Sequence, residues 1–234
     1  MSKHQQFWDK EYKTSEHLTL SEDPAEDLEK FVRWLDRNDE VIILSKDEQV
    51  LDLGSGNGRN LLYLVKNFPV TGIGYDISQI AVNKATARAK EEHLRATFTQ
   101  RNIAGNIDLP DESCTLVLDM MTSHYLSKEE RAHLHNEVLR VLKPGGFYFF
   151  KTFLLEGDLH VKRLFANFPG KEEHSYVHPR IGVEEHVMSL NEIEDSFDGK
   201  FWIQKLYKSH KHVSHGRAFR RRTVTLYLQK PFSL

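Results

Sequence analysis

The spacing of apolar residues changes several times along this chain, and each change marks an element. Across 7–38 they recur every three to four positions, with Leu28, Phe31, Val32 and Leu35 on one face, the stripe of an amphipathic helix. Asp23-Pro24 offers a start for that helix, because proline fits a first helical turn whose N–H has no partner to lose. Phe7, Trp8 and Tyr12 lie upstream and are expected to pin an N-terminal arm onto the body. From position 49 onward, short apolar runs at 49–53, 70–75, 96–101, 115–121 and 147–152 read as strands. Helices are expected over 60–67, 78–93 and 128–142, the last stopping at Lys143-Pro144-Gly145-Gly146. Such alternation predicts an α/β fold, doubly wound, with a mostly parallel sheet and helices on both faces.

Beyond this the pattern loosens. Pro169, Gly170, Pro179 and Gly182 interrupt 154–198, which is expected to carry substrate-facing insertions. The runs 201–210 and 223–229 read as two strands joined through Ser214-His215-Gly216, an antiparallel C-terminal hairpin. With no internal repeat and no Pro/Gly/Ser linker, the 234 residues are expected to form a single domain. Its parts are a helical arm (1–45), a core (46–153), an insertion (154–200) and a basic hairpin (201–234).

Composition narrows the class. Hydrophobic residues at 39% and charged ones at 28% suit a globular protein, and no apolar run approaches the ~20 residues that span a bilayer. The opening residues lack the apolar stretch of a secretory signal, so a cytoplasmic location and no membrane partner are expected. A lone cysteine, Cys114, rules out an internal disulfide and a cysteine-based zinc site; it reads as a small buried hydrophobe. The spacings His210-x-His212-x-x-His215 and His174-x-x-x-His178 lack a clear carboxylate to complete a ligand set, so no metal is expected. The segment 201–234 has no acidic residue and carries +8, which leaves −10 for the rest of a chain of net charge −2. Either the hairpin balances an acidic body, or Arg217 and its neighbours form a basic rim that draws in an anionic substrate.

The most informative stretch is Val50-Leu51-Asp52-Leu53-Gly54-Ser55-Gly56-Asn57-Gly58. A strand running into glycines and then a helix lets backbone approach a ligand at the carboxyl edge of a sheet. A dinucleotide fingerprint would need a third glycine at position 59, which is Arg59, and no Gly-Lys-Ser/Thr follows to make a phosphate loop. The order G-x-G-x-G behind Asp52 resembles the first motif of the class I (Rossmann-like) S-adenosylmethionine-dependent methyltransferases. Gly72-Ile73-Gly74-Tyr75-Asp76-Ile77-Ser78 is similar to their second motif, and Leu139 to Gly146 to the turn before their fifth strand.

The resemblance, which covers 49–152, implies S-adenosylmethionine as cofactor and a set of contacts. Asp52 and the Gly54-Ser55-Gly56 backbone would hold its methionine end, and Asp76, followed by Ile77, would accept from both ribose hydroxyls. Asn102 stands where the family usually has an acid facing the adenine amino group, so a charge-assisted bond is lost there. Ile103 would face the adenine ring, and Asp119 would approach the donor's amino group. The family keeps reactive residues just after the fourth strand, which makes His124 and Tyr125 the catalytic candidates; packing at the strand-to-helix turn is the alternative for His124.

The acceptor is less defined. No Asp/Asn-Pro-Pro-Tyr stands at this turn, and Cys114 precedes the fourth strand, which argues against amino-nitrogen and carbon-5 nucleic-acid methylation. A small molecule is therefore the expected partner, an anionic one if the basic rim faces the site. Phe7-Trp8-Asp9-Lys10-Glu11-Tyr12 is similar to the opening of thiopurine- and tellurite-type methyltransferases, whose N-terminal arm covers the site, so Trp8 and Tyr12 are candidate substrate contacts. His178, Arg180 and Arg217 are further candidates from topology alone. RNA is the alternative partner, bound through Arg217, Arg220, Arg221 and Arg222 with Phe219 and Tyr227. A cofactor-binding module without catalysis is a third reading.

Overall fold

The computed structural model describes residues 2–16, 20–38, 40–209, 213–214, 217–218 and 221–232; side chains at 41–42, 213–214 and 217–218 are outside that set. Helices α1 (Lys3–Thr14) and α2 (Glu26–Arg37) precede strand β1 (Gln49–Leu53). Then α3 (Arg59–Asn67), β2 (Thr71–Asp76), α4 (Gln79–Glu91), β3 (Ala96–Gln100) and β4 (Cys114–Met120) follow. A 3₁₀ turn (Ser123–Tyr125) leads to α5 (Lys128–Val141) and β5 (Leu142–Phe153). The remainder comprises α6 (Val161–Asn167), β6 (Ser175–Val177), β7 (Glu184–His186), α7 (Leu190–Phe197) and β8 (Trp202–Lys208). Two short strands, β9 (Val213–Ser214) and β10 (Arg217–Ala218), come before β11 (Thr223–Gln229).

Seven of these strands form one sheet in the order β3-β2-β1-β4-β5-β11-β8. The first five are parallel, while β11 runs antiparallel between β5 and β8, which is the expected mixed sheet with its closing hairpin. No helix among the described residues is long and apolar enough to cross a membrane.

Two expectations change. The N-terminal helix is two helices: α1 ends at Ser15, whose φ of 50° turns the chain left-handed, and α2 starts only after Pro24. Neither Asp23 nor any other side chain caps α2, whose N-cap is Ala25; instead the Ala25 N–H donates to Asn60 Oδ1 at 2.9 Å. The stretch Lys143–Gly146 is already strand. Gly145 takes φ 78°, its N–H donates to the Lys230 carbonyl, and Lys230 returns a bond to Gly146, so pairing with the C-terminal segment lengthens β5 backwards. The irregular region 154–198 contains α6, β6, β7 and α7, elements too short for periodicity to reveal.

Side-chain alternation along β5 organises the core. Phe147 and Phe149 face α2, where Phe31 meets Tyr227 at 4.7 Å and Phe149 at 5.1 Å between ring centroids. Tyr148 and Phe150 face the other way onto Phe197 of α7 and His135 of α5. With both faces covered, the strand order reverses between β1 and β4, and the loops leaving those strands diverge. A crevice at the carboxyl ends is the consequence, the usual ligand position of an open α/β sheet.

Candidate active site

The crevice after β1 holds a cavity of about 320 Å³, within the ~300–1,000 Å³ typical of small-ligand pockets. Its floor is the glycine turn. Gly54 and Gly56 have φ of 72° and 55°, and both Gly54 and Ser55 donate to the Tyr75 carbonyl of β2. A Cβ on Gly54 would fall 2.3 Å from the Thr122 side chain, and one on Gly56 would fall 2.2 Å from the Tyr12 hydroxyl. Only glycine keeps this path both left-handed and open.

Asp76 ends β2 as the cavity's carboxylate. Its Oδ2 accepts from the Gly56 N–H at 2.8 Å and its Oδ1 from the Ser78 N–H at 2.8 Å, which fixes the side chain while leaving lone pairs on both oxygens. Burial pushes its pKa up to about 6 against those two bonds. Asp52, 2% exposed, lies beneath the turn and does not itself line the cavity; its Oδ2 has no partner. Burial, joined by the charges of Asp76 and Asp119, pushes Asp52 up to about 7, and Arg59 is the cation opposing them. Stacked carboxylates with raised pKa values and an orphaned oxygen suit a ligand that brings positive charge.

Beyond the turn, Ile77, Asn102 and Ile103 line the cavity. The Asn102 amide oxygen already accepts from the Ala104 N–H at 3.0 Å, closing a local turn. On the far side stand Met120, Met121, Thr122 and Tyr125. Helix α1 forms the remaining wall with His4, Trp8 and Tyr12. Asp9 anchors that helix by accepting from the Ser78 hydroxyl at 2.7 Å, and Lys84 holds its end through the Tyr12 carbonyl. Trp8 meets the Tyr125 ring edge-on at 5.7 Å.

Several candidates lie elsewhere. Asp119, fully buried, accepts from the N–H groups of Thr122 and Ser123 and from the Tyr148 hydroxyl; it holds the loop after β4 and does not reach the cavity. His124 points into the interior, between Tyr125 at 4.0 Å and Phe153 at 5.0 Å, with neither ring nitrogen partnered. Burial, aided by Arg221, His186 and Arg131, drives its pKa down to about 3, so it stays neutral and very weakly basic. His178 folds onto the N–H groups of Arg180 and Ile181 in the turn between β6 and β7, and neither His178 nor Arg180 lines the cavity. The Arg217 side chain lies outside the described residues, as do His210, His212, His215, Phe219 and Arg220. Of the remaining arginines, Arg221 is paired with Asp158 at 2.6 Å.

Sequence reasoning missed His4, Arg59, Asn60 and Arg101 among the lining residues. For His4 a signal existed: with Trp8 and Tyr12 it repeats every four residues, one face of a helix.

The comparisons with known proteins agree with this geometry. A methyltransferase domain family matches residues 50–146. The 27-O-demethylrifamycin SV methyltransferase of Amycolatopsis mediterranei is 29% identical over 154 residues, 65% of this chain and 51% of that protein. The malonyl-[acyl-carrier protein] O-methyltransferase of a Marinomonas species is 29% identical over 168 residues, 70% of this chain and 60% of that one. This chain thus spans about half the length of the curated relatives it matches. A solved S-adenosylmethionine-dependent methyltransferase from Methanosarcina mazei superposes with a TM-score of 0.67 at 25% identity, covering 81% of this chain and 95% of that one. The fold and the crevice define a Rossmann-like methyl-transfer domain. Residues 50–146 are thus a methyltransferase domain of the class I, S-adenosylmethionine-dependent type.

Proposed function

We propose that the protein transfers a methyl group from S-adenosylmethionine to a small acceptor that enters between Tyr125 and α1. The observation carrying this reading is the pairing of a carboxylate-backed glycine turn with an aromatic wall in one cavity. The donor fits the residues present: Asp76 for the ribose, the orphaned Asp52 oxygen and the Gly54 to Gly56 cradle for the cationic methionine end. When bound, it would supply an electrophilic methyl on a sulfonium. The protein's own part is positioning, since holding a nucleophile in line at near-attack distance replaces a bimolecular encounter. Trp8 and Tyr12 exclude water from that line, and Tyr125 faces the incoming group.

A small acceptor is favoured over RNA because α1 walls the cavity. A nucleic-acid base would have to be flipped out and passed beneath that helix. Arg221 spends its charge on Asp158, so it provides no argument for an anionic acceptor. The named acceptors of the two curated relatives differ from each other, and they support methyl transfer without choosing a molecule.

Calorimetric titration with S-adenosylhomocysteine, followed by a methyl-transfer screen, tests the reading. The screen holds small hydroxyl, amine and carboxylate metabolites and total RNA at two salt concentrations. Micromolar binding and turnover on a small molecule is the expected result. Turnover on RNA alone, weakening steeply with salt, would overturn the choice of acceptor, and absence of binding would overturn the donor.

A further inference from the structure

Glu185 takes no part in building the crevice, yet it touches the cavity wall from behind. It lies in β7, which packs against the 3₁₀ turn Ser123–Tyr125, and it is 4% exposed. Two phenols serve its carboxylate: the Tyr176 hydroxyl donates to Oε2, and the Tyr125 hydroxyl stands within hydrogen-bonding reach. Arg221 Nη1 donates in turn to the Tyr176 oxygen, while its Nε is held by Asp158 at 2.6 Å and its guanidinium lies 4.4 Å over the Phe153 ring. A chain of polar contacts therefore runs from Tyr125 through Glu185, Tyr176 and Arg221 to Asp158. Only Tyr125 of these five lines the cavity.

A buried carboxylate is costly to keep unless it is well partnered. This one is partnered by two neutral phenols, and the guanidinium is one phenol removed. Resting on the methyltransferase reading above, we propose that Glu185 receives the proton released in methyl transfer, acting through the Tyr125 phenol, and that the acceptor is a neutral O–H or N–H nucleophile. As the acceptor heteroatom bonds to the methyl carbon, the carbon–sulfur electron pair passes to sulfur. The acceptor's proton moves to the Tyr125 oxygen, and the Tyr125 proton moves to Glu185. One positive charge and one negative charge vanish together, which leaves a buried site neutral. An acceptor that is already a carboxylate has no proton to hand over and would meet Glu185 as a like charge.

The neighbouring groups favour this assignment. Burial and the Glu185 carboxylate hold the Tyr125 phenol well above its ordinary pKa, so it passes a proton on without ionising by itself. His124 lies beneath Tyr125, but its pKa near 3 makes it too weak a base. The titratable and charged groups facing Glu185 are Tyr125 from the turn, Tyr176 from β6 and Arg221 ahead of β11. Glu185 is a positioning residue that works through Tyr125, which is the group that touches the acceptor.

The test compares wild type, Glu185→Gln and Tyr125→Phe with the hydroxyl acceptor found in the screen. Each variant should lose about 100-fold in kcat, the usual worth of a positioned proton acceptor. The double variant should be no worse than either single one, because the two act as a unit. S-adenosylhomocysteine affinity should hold, and the pH–kcat profile of Glu185→Gln should differ from that of wild type. An independent readout uses 13Cζ-labelled tyrosine: the Tyr125 resonance should shift between wild type and Glu185→Gln, because the Glu185 carboxylate acts on that phenol. A Glu185→Gln enzyme with wild-type kcat and profile, turnover confined to carboxylate acceptors, or a Tyr125 signal indifferent to Glu185 would each overturn the relay. If the screen yields no acceptor, the resonance decides alone. Failure to bind S-adenosylhomocysteine sinks the donor reading separately, since the resonance is read in the free protein as well.

Discussion

What we propose as the donor end of the crevice comes from three successive strand-to-loop turns between Asp52 and Ile103, whereas the acceptor end gathers Trp8, Tyr125 and Glu185 from an N-terminal helix, a 3₁₀ turn and a late hairpin. The first is rigid by construction: backbone N–H groups clamp Asp76, and left-handed glycines leave space where side chains would collide. The second depends on side-chain contacts between elements distant in sequence. Donor recognition should therefore respond sharply to single changes and acceptor recognition more gradually.

The largest effect is expected at Asp76. Asp76→Ala removes both proposed ribose acceptors and should weaken S-adenosylhomocysteine binding by about 100-fold or more in calorimetry, as two bonds to a charged group imply. Unchanged affinity, with a rise only in acceptor KM, would break the division between the two ends.

A pH effect should follow at the same end. On the proposed reading Asp52, pushed up to about 7, serves the donor's cationic end as a carboxylate, and Asp76, pushed up to about 6, serves its ribose hydroxyls as one. Their protonated forms predominate below those values, so acid weakens binding, and affinity should fall about tenfold from about pH 7.5 to about pH 5.5. At about pH 6.5 binding should release protons, visible as a dependence of the calorimetric heat on the buffer. An affinity flat across that range would mean that the carboxylates do not meet positive charge.

At the acceptor end, Trp8→Ala removes one aromatic wall, worth about 1 kcal/mol beyond area, and should raise acceptor KM about fivefold. Its effect on S-adenosylhomocysteine affinity should be smaller; steady-state kinetics beside calorimetry measures both. Smallest of all is His124→Phe. A ring replaces a ring at a site with no hydrogen bond to lose, so stability should change by less than ~1.5 kcal/mol and kcat should be preserved. A tenfold loss of kcat would return His124 to the reacting groups.

The contrast also explains what could be read from the chain. The glycine turn and Asp76 were legible because their spacing in sequence is their spacing in space, at the ends of adjacent parallel strands. Gln49–Leu53, the β4 and α5 regions and the closing hairpin followed from short apolar runs and the breakers that bound them, for the same local reason. Asp119 and His124 were placed correctly along the chain but not in direction. Within one short turn Tyr125 faces the cavity and His124 faces Phe153, and only the packing of β5 and β7 behind the turn decides which. The meeting of Glu185, Tyr176 and Arg221 was not legible, because it depends on the tertiary path of 154–222.

One anchor described above has a bearing on timing. Ser78 caps α4 and binds Asp76 through its N–H, while its hydroxyl holds Asp9 of α1. The same residue thus fastens the floor of the crevice and the helix that walls it, and α1 contributes His4, Trp8 and Tyr12 to the lining of that cavity. On the proposed reading, lifting α1 from α4 would open both ends at once, so product release would be paced by a helix that takes no part in making or breaking a bond.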